Sequence, residues 1–449
     1  MADDAIAREG NLKAPYRHPL DWKNAEFWDE KTLYDEMERQ FDICHTCRRC
    51  FPLCESFPTL FDLIDNSESL ELDTVPREAY WKVVDQCYLC DLCFMTKCPY
   101  TPPHEFNMDF PHLMLRAKAV RNKNEGAKLR DRVLTSTDAV GRLVGIPVVA
   151  QTVNTANRTP PLRYGLEKTV GVHRKAKLPD FQARSARRRL AKHRPLDGEA
   201  QAAGKTRGRV AIYTTCYGNR NMPSVVEDLV AVFEHNGVPV RLVPEERCCG
   251  MPKLEIGDLD AIEKLKNYNI PCLAKVVDEG WDLIAPIPSC VLMYKQELPM
   301  IYPGDETVER VKQAFFDPFE YLMLRHEAGL LDTAFAQPLG KVVCHASCHQ
   351  RVQNIGAKTR DVLALVPDTE VELIQRCSGH DGTYAVKRET YDKAMKIGRP
   401  VFRKIIEAEP DYYGSDCPLA GDQLEHGAGK GVGRGVTHPI AMLRTAYGI

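Results

Sequence analysis

The chain is 449 residues long, enough for two or three domains with real cores, and its 44% hydrophobic and 27% charged residues describe an ordinary globular protein. A net charge of −2 excludes a general nucleic-acid binder, which would be strongly basic. Seventeen cysteines follow an N-terminus, Met1-Ala2-Asp3-Asp4, with neither a basic nor an apolar leader region, so metal or redox chemistry in a reducing cytoplasm is expected rather than a disulfide framework.

Residues 1–28 show little periodicity and read as an extended arm. Leu33, Met37 and Phe41 then recur at helical spacing and deliver the chain to Cys44-x-x-Cys47-x-x-Cys50-x-x-x-Cys54. A second run, Cys87-x-x-Cys90-x-x-Cys93-x-x-x-x-Cys98-Pro99, follows. A cubane iron–sulfur cluster needs four thiolates around a compact core. One short loop reaches three corners, and the fourth comes from the other run, as in two-cluster ferredoxins. That assigns Cys44, Cys47, Cys50 and Cys98 to one [4Fe–4S] cluster, and Cys87, Cys90, Cys93 and Cys54 to a second. Zinc, the alternative, prefers one cysteine pair and then a distant second pair, and suits these triplets poorly. Between the runs lie Leu60, Phe61, Leu63 and Ile64, and then a helix opened by Pro76 through Tyr80 and Val84. This long helical insert favours an α-helical two-cluster ferredoxin domain over residues 1–121, with a further helix from about Phe110 to Val120.

Residues 122–208 read as a connector. No apolar run spans a bilayer; the uncharged stretch Leu143 to Asn157 is the nearest, and is expected to be buried or to dock. Val172 to Arg194 holds nine Lys and Arg against one acid, Asp180. It reads as a solvated connector or as a basic surface for an anionic membrane or acidic partner. Gly198 to Thr206 closes the region as a linker.

Beyond Arg209 an α/β pattern occurs twice, over 209–335 and 336–449. In copy one, strand Val210 to Thr214 ends at Cys216, strand Val238 to Val243 at Cys248-Cys249-Gly250, and strand Asp282 to Ile287 at Cys290. In copy two, strand Lys341 to Cys344 leads to Cys348, strand Glu370 to Ile374 to Cys377-Ser378-Gly379, and strand Asp411 to Gly414 to Cys417. Cys216 to Cys248 is 32 positions and Cys348 to Cys377 is 29; Cys248 to Cys290 is 42 and Cys377 to Cys417 is 40. Unrelated cysteines would hardly fall this way, so the half is read as an internal duplication. Ligands in α/β units gather beyond the carboxyl ends of strands, so the thiols are expected to converge on one site per copy.

The two ferredoxin runs, with Cys248-Cys249-Gly250-Met251-Pro252, Ser347-Cys348-His349, Cys377-Ser378-Gly379, Gly382-Thr383-Tyr384, Asp416-Cys417-Pro418 and His438-Pro439-Ile440, resemble heterodisulfide reductase-related iron–sulfur proteins. The N-terminal runs look like the C subunit of that family and the duplicated half like the CCG repeats of its B subunit. The fusion is similar to the iron–sulfur C subunits of anaerobic glycerol-3-phosphate dehydrogenases. The resemblance implies a duplicated α/β CCG (cysteine-rich) domain that binds a further iron–sulfur centre. A full repeat has one Cys, a Cys pair and a final C-x-x-C. Copy one here keeps Cys216, Cys248, Cys249 and Cys290; copy two has Ser378 and Ala420 at expected cysteine positions and an extra Cys344 beside Cys348, Cys377 and Cys417. Each copy thus offers four thiols, enough for a cubane or a zinc but not for a five-cysteine non-cubane centre.

His345 and His349 read as polar caps, and His380 and Asp381 as a turn or a proton relay. Cys272 reads as a buried core thiol, and Gly427 to Gly433 as a flexible loop. No dinucleotide fingerprint opens a βαβ unit, so neither flavin nor nicotinamide is expected, and a flavin- or other cofactor-bearing partner subunit is the natural source or sink of electrons. The chain is therefore read as an oxidoreductase component, an iron–sulfur electron-transfer subunit, cytoplasmic or peripheral on the cytoplasmic face of a membrane, with quinone or anionic lipid as further contacts. The rival readings are a disulfide or quinone reductase acting at the CCG centre, and a CCG half that is a structural metal or docking module.

Overall fold

The helix foreseen ahead of Cys44 spans Glu30–Cys47 in this computed structural model, which describes residues 15–449; the first half of the expected N-terminal arm lies outside the described residues. The Asp29 carboxylate caps the helix by accepting the Thr32 N–H at 2.8 Å, and Leu33, Met37 and Phe41 are fully buried on one face. They pack with Phe57, Leu60, Phe61 and Ile64 of the helix Ser56–Asp65, with Val83 and Val84 of Tyr80–Gln86, and with Leu113 and Met114 of Phe110–Glu125. Burying each such side chain contributes about 1.5–3 kcal/mol, so the thiol-bearing turns hang on a helical scaffold. This helical unit comprises the described part of residues 1–128 together with 253–260 and 300–303. Its N-terminal arm ties in the last segment: Leu20 N–H donates to Met300 O at 2.8 Å and Trp22 Nε1 to Ile301 O at 3.0 Å.

The second unit holds 129–252, 261–299 and 304–449. Its first part is more structured than a connector: the helices Leu129–Thr135, Thr137–Val144, Pro147–Arg158 and Pro160–Val170 follow one another. Burial of the uncharged stretch Leu143 to Asn157 fails at its apolar outer face, where Leu143 is 66% and Val148 72% exposed while Val144 and Ala150 turn inward. The basic stretch Val172 to Arg194 is partly consumed by internal ion pairs. Lys177 meets Asp422 at 2.7 Å, Arg189 meets Glu227 at 3.0 Å, and Arg187 meets Glu246 at 3.2 Å.

The duplicated half forms two small parallel sheets. In copy one, β1 (Val210–Ile212), β2 (Val240–Leu242), β3 (Asp282–Ile284) and β4 (Phe315–Phe316) are ordered β2-β1-β3-β4. In copy two, β5 (Gly340–His345), β6 (Thr369–Ile374) and β7 (Tyr412–Ser415) are ordered β6-β5-β7. The first strand of each copy is central, with the second and third on either side, all parallel. β1 stops earlier than its hydrophobic run because the Thr214 N–H turns to the Glu246 carboxylate at 2.9 Å instead of a neighbouring strand. β4 was not foreseen; two phenylalanines show no alternation to read.

One hydrophobic core serves both copies. Val226, Leu229 and Phe233 of the helix Pro223–His235 share it with Ile440 and Leu443 of the C-terminal helix Pro439–Tyr447. Arg444 closes its edge on Asp228 at 2.8 Å.

Candidate metal centres

Cys44 and Cys47 lie on the last turn of Glu30–Cys47, three residues apart and so on one face. Arg48 then takes a left-handed conformation (φ 50°), its N–H bonded to Cys44 O at 2.8 Å, and this sharp turn returns the chain to bring in Cys50. In the second run Leu89 (φ 55°) and Asp91 (φ 60°) do the same for Cys87, Cys90 and Cys93. Arg17 fastens that loop to the scaffold, meeting Asp91 at 2.6 Å and Asp109 at 2.8 Å.

These turns bring the eight thiols into two sets. Cys44 faces Cys50, Cys98 and Cys47, and burial followed by those neighbours pushes its thiol well above the ordinary range. Burial, Cys98 and Cys47 raise Cys50 to about 12. Cys54 faces Cys87 and Cys90, and Cys93 faces Cys90, Cys87 and Cys54. The fourth cysteine of each run thus stands with the other run's triplet. The sets adjoin, since Cys93 also faces Cys50.

Backbone N–H groups point at the sulfurs: those of Ser56 and Phe57 at Cys54, Leu89 at Cys87 and Tyr100 at Cys98. Such donors favour a thiolate and a bound anionic cluster. Among the described residues no three His, Cys, Asp or Glu side chains stand close enough to grip a single ion. Clustered thiols with N–H donors are a donor set that fits iron–sulfur groups.

In copy one the four foreseen thiols form a connected chain. Thr215 (φ 64°) swings the chain out of the sheet and its hydroxyl accepts the Gly218 N–H at 3.0 Å, setting Cys216 at the start of a short helix. Gly250 (φ 104°) allows the turn after Cys248-Cys249, and Pro288–Leu292 carries Cys290. The Cys216 and Cys249 thiols donate to Cys248, holding it well below the ordinary thiol range and pushing themselves above it. Cys249 also contacts Cys290.

Two residues of the supposed connector join this site. Asp138 Oδ2 accepts the Cys248 N–H at 2.8 Å, and the Thr137 hydroxyl is turned to Cys216 and Cys248. Ser136-Thr137-Asp138 carries a helix-start signature, but nothing in the sequence places it beside a cysteine 110 positions on. Asn269 steadies the pair from another side, accepting from Arg247 N–H at 2.8 Å and donating to Cys248 O at 3.0 Å.

Copy two is different. Cys344 sits in the shared hydrophobic core, 1% exposed, and its thiol faces Asp416 rather than other thiols. The grouping of Cys344 with Cys348, Cys377 and Cys417 is therefore corrected, because strand alternation points Val342 and Cys344 into the same core. Cys377 Sγ accepts the Gly379 N–H at 3.3 Å. Cys417 stands at the N-cap of the helix Pro418–Ala428, and burial raises it to about 12 against the pull of the Ala420 and Leu419 N–H groups. Its sulfur also faces Asp381 and Cys290 of copy one, so copy two turns a thiol toward the copy-one site.

His349 Nδ1 meets Ser289 Oγ at 2.7 Å, and Tyr217 donates to Asp422 at 2.8 Å, both across the copies. His345 uses both nitrogens, on Ser415 Oγ and Arg376 O, and burial lowers it to about 4, so it braces the strand ends as a neutral ring. Cys272 is not buried: it lies part-exposed with its thiol on Glu245 O at 3.1 Å.

Comparison with known proteins agrees with this architecture. The family model of the cysteine-rich domain, CCG, matches twice, at residues 210–295 and 342–424. These ranges hold the first three strands of copy one, the three strands of copy two and their cysteine-bearing ends, so the chain carries a duplicated CCG domain. It is homologous to the C subunit of anaerobic glycerol-3-phosphate dehydrogenase from Escherichia coli (strain K12), 29% identical over 71% of this chain and 77% of that protein. It is 27% identical to an uncharacterized iron–sulfur protein of Methanocaldococcus jannaschii, over 47% of this chain and 40% of the other. To the B subunit of fumarate reductase (CoM/CoB) from Methanothermobacter marburgensis it is 26% identical, over 49% and 43%.

Proposed function

We propose that this protein is an iron–sulfur electron-transfer subunit of a dehydrogenase or reductase complex. In it Cys44, Cys47, Cys50 and Cys98 hold one [4Fe–4S] cluster and Cys54, Cys87, Cys90 and Cys93 a second. Cys216, Cys248, Cys249 and Cys290 hold a further centre in the CCG half. The observation that carries the reading is the sorting of the eight N-terminal thiols into two adjoining sets of four. Bound clusters would supply single-electron transfer. The chain's own residues bury the sulfurs from water, aim the Ser56, Phe57, Leu89 and Tyr100 N–H groups at them, and set Lys118 beside Cys87, where its charge favours the thiolate. A cofactor-bearing partner that handles two-electron organic chemistry is the other half of the reaction; the relatives named as enzyme subunits support such a partner. The test is iron and acid-labile sulfide analysis with EPR on anaerobically purified protein. About eight iron atoms and two cluster signals from the N-terminal unit are expected; zinc in place of iron and sulfide would refute the reading.

A membrane contact is supported by a separate observation, the exposed apolar side chains Leu129, Leu143, Val148 and Leu162 on successive helices of 129–170. No helix among the described residues is long and apolar enough to cross a membrane. Attachment through this face would be interfacial and would resist a high-salt wash, whereas attachment through the basic stretch 172–194 would be weakened by salt. Flotation with anionic vesicles, lost on Leu143→Glu with Val148→Glu, is the check; unchanged flotation overturns it.

A further inference from the structure

Beside copy one's thiols lies a cavity of 180 Å³ whose walls include Arg142, Arg187, Arg220 and Arg247, two carboxylates (Asp138 and Glu246), and Cys216. Four guanidiniums against two carboxylates leave an excess of positive charge, and the pairing is uneven. Glu246 is already held by Arg187 at 3.2 Å and by the Thr214 N–H at 2.9 Å. Asp138 is engaged by the Cys248 N–H. Arg247 lies flat over Tyr268, 3.8 Å from the ring centroid. Among the described residues the Arg142 and Arg220 side chains have neither ion pair nor hydrogen bond, so both cations face the cavity unpaired, with the more distant charge of Asp138 acting on them.

Their placement is built in. Arg220 lies along the helix Thr137–Val144, and a Cβ on Gly141 would stand 2.6 Å from its Cδ. Arg142, Arg187 and Arg247 share the same walls with Arg220, so an anion bound among them would be favoured.

We propose that this cavity binds a small molecule bearing an oxyanion, a carboxylate or a phosphate, seated between Arg142 and Arg220 next to Cys216. Guanidinium forks match both groups. The volume equals about six waters at about 30 Å³ each and is below the roughly 300 Å³ of the smallest drug-sized pockets, so the ligand has only a few heavy atoms beyond its charged group. The site goes beyond the electron-transfer reading and does not rest on it, since anion binding can be measured whatever centre copy one holds.

The test is isothermal titration calorimetry on the full chain, purified anaerobically, with inorganic phosphate and separately with malonate at constant ionic strength set by sodium chloride. Saturable one-site binding is expected for at least one of them; phosphate alone assigns a phosphate ester, malonate alone a carboxylate. Arg142→Gln, at an exposed position, should weaken binding about tenfold. Gly141→Ala keeps every charge but displaces Arg220, and should weaken it as well. Arg403→Gln, on the exposed side of Tyr391–Ala408, should change nothing. Absence of saturable heat with both anions, or titrations unaltered by both Arg142→Gln and Gly141→Ala, would overturn the proposal.

Discussion

Copies one and two share a plan, a central first strand flanked by the second and third, yet they hold their thiols differently. In copy one the chain leaves the sheet at Ile212, so Cys216 reaches the site from a helix start beyond the strand. In copy two the counterpart, Cys348, likewise starts a short helix beyond the strand, whereas the extra Cys344 is still inside β5, where strand alternation commits it to the core. Copy one also keeps the adjacent pair Cys248-Cys249, where copy two has Cys377-Ser378. A serine hydroxyl stays protonated and is a poor ligand for iron. Duplicated folds can thus preserve topology while their thiols diverge, and copy two still turns Cys417 toward Cys290 of copy one.

The comparison would break most visibly in metal content. Cys47→Ser, in a complete set, should remove roughly four iron atoms and one EPR signal, whereas Cys344→Ser should leave the iron unchanged. Iron analysis of the two variants decides, and iron loss in Cys344→Ser would return that thiol to the ligands. A smaller effect concerns how copy two's strand ends are braced. His438 donates from Nε2 to Asp416 O at 2.9 Å and accepts the Ile440 N–H at Nδ1, and burial lowers its pKa from 6.5 to about 4. The unfolded chain takes up this proton near 6.5 and the folded chain only near 4. Stability from this group is therefore full above 6.5 and falls by about 3 kcal/mol as the pH drops to 4. Unfolding measured stepwise across that range should lose this slope in His438→Gln.

Cys344→Ser should cost about 1–3 kcal/mol of stability, the penalty of a hydroxyl in an apolar core, read by denaturant unfolding. Smallest is Tyr217→Phe, which removes the hydrogen bond to Asp422 between the copies and should cost about 1 kcal/mol without touching iron content.

The cysteine spacing made the grouping of the N-terminal thiols legible, because thiols three residues apart are a local pattern and the fourth of each run stands with the other triplet. The strands and their duplication were legible too, since strand, turn and cysteine recur at matched separations. The role of 129–170 was not. Its helices are short and open at Pro147 and Pro160, and Asp138 and Arg142 meet copy one only after the chain has folded back from residue 248. Cys344 misled for a related reason. Its spacing from Cys348 looks like a ligand pair, and only the end of β5 at His345 decides which way its side chain points.

The asymmetry of the CCG copies is tested most directly by Cys249→Ala against Cys377→Ala, with iron, zinc and electron-transfer activity measured for each on anaerobically purified protein. Loss of the copy-one centre's iron and of activity in Cys249→Ala, with both largely retained in Cys377→Ala, is the predicted result. Equal losses in the two variants would contradict it.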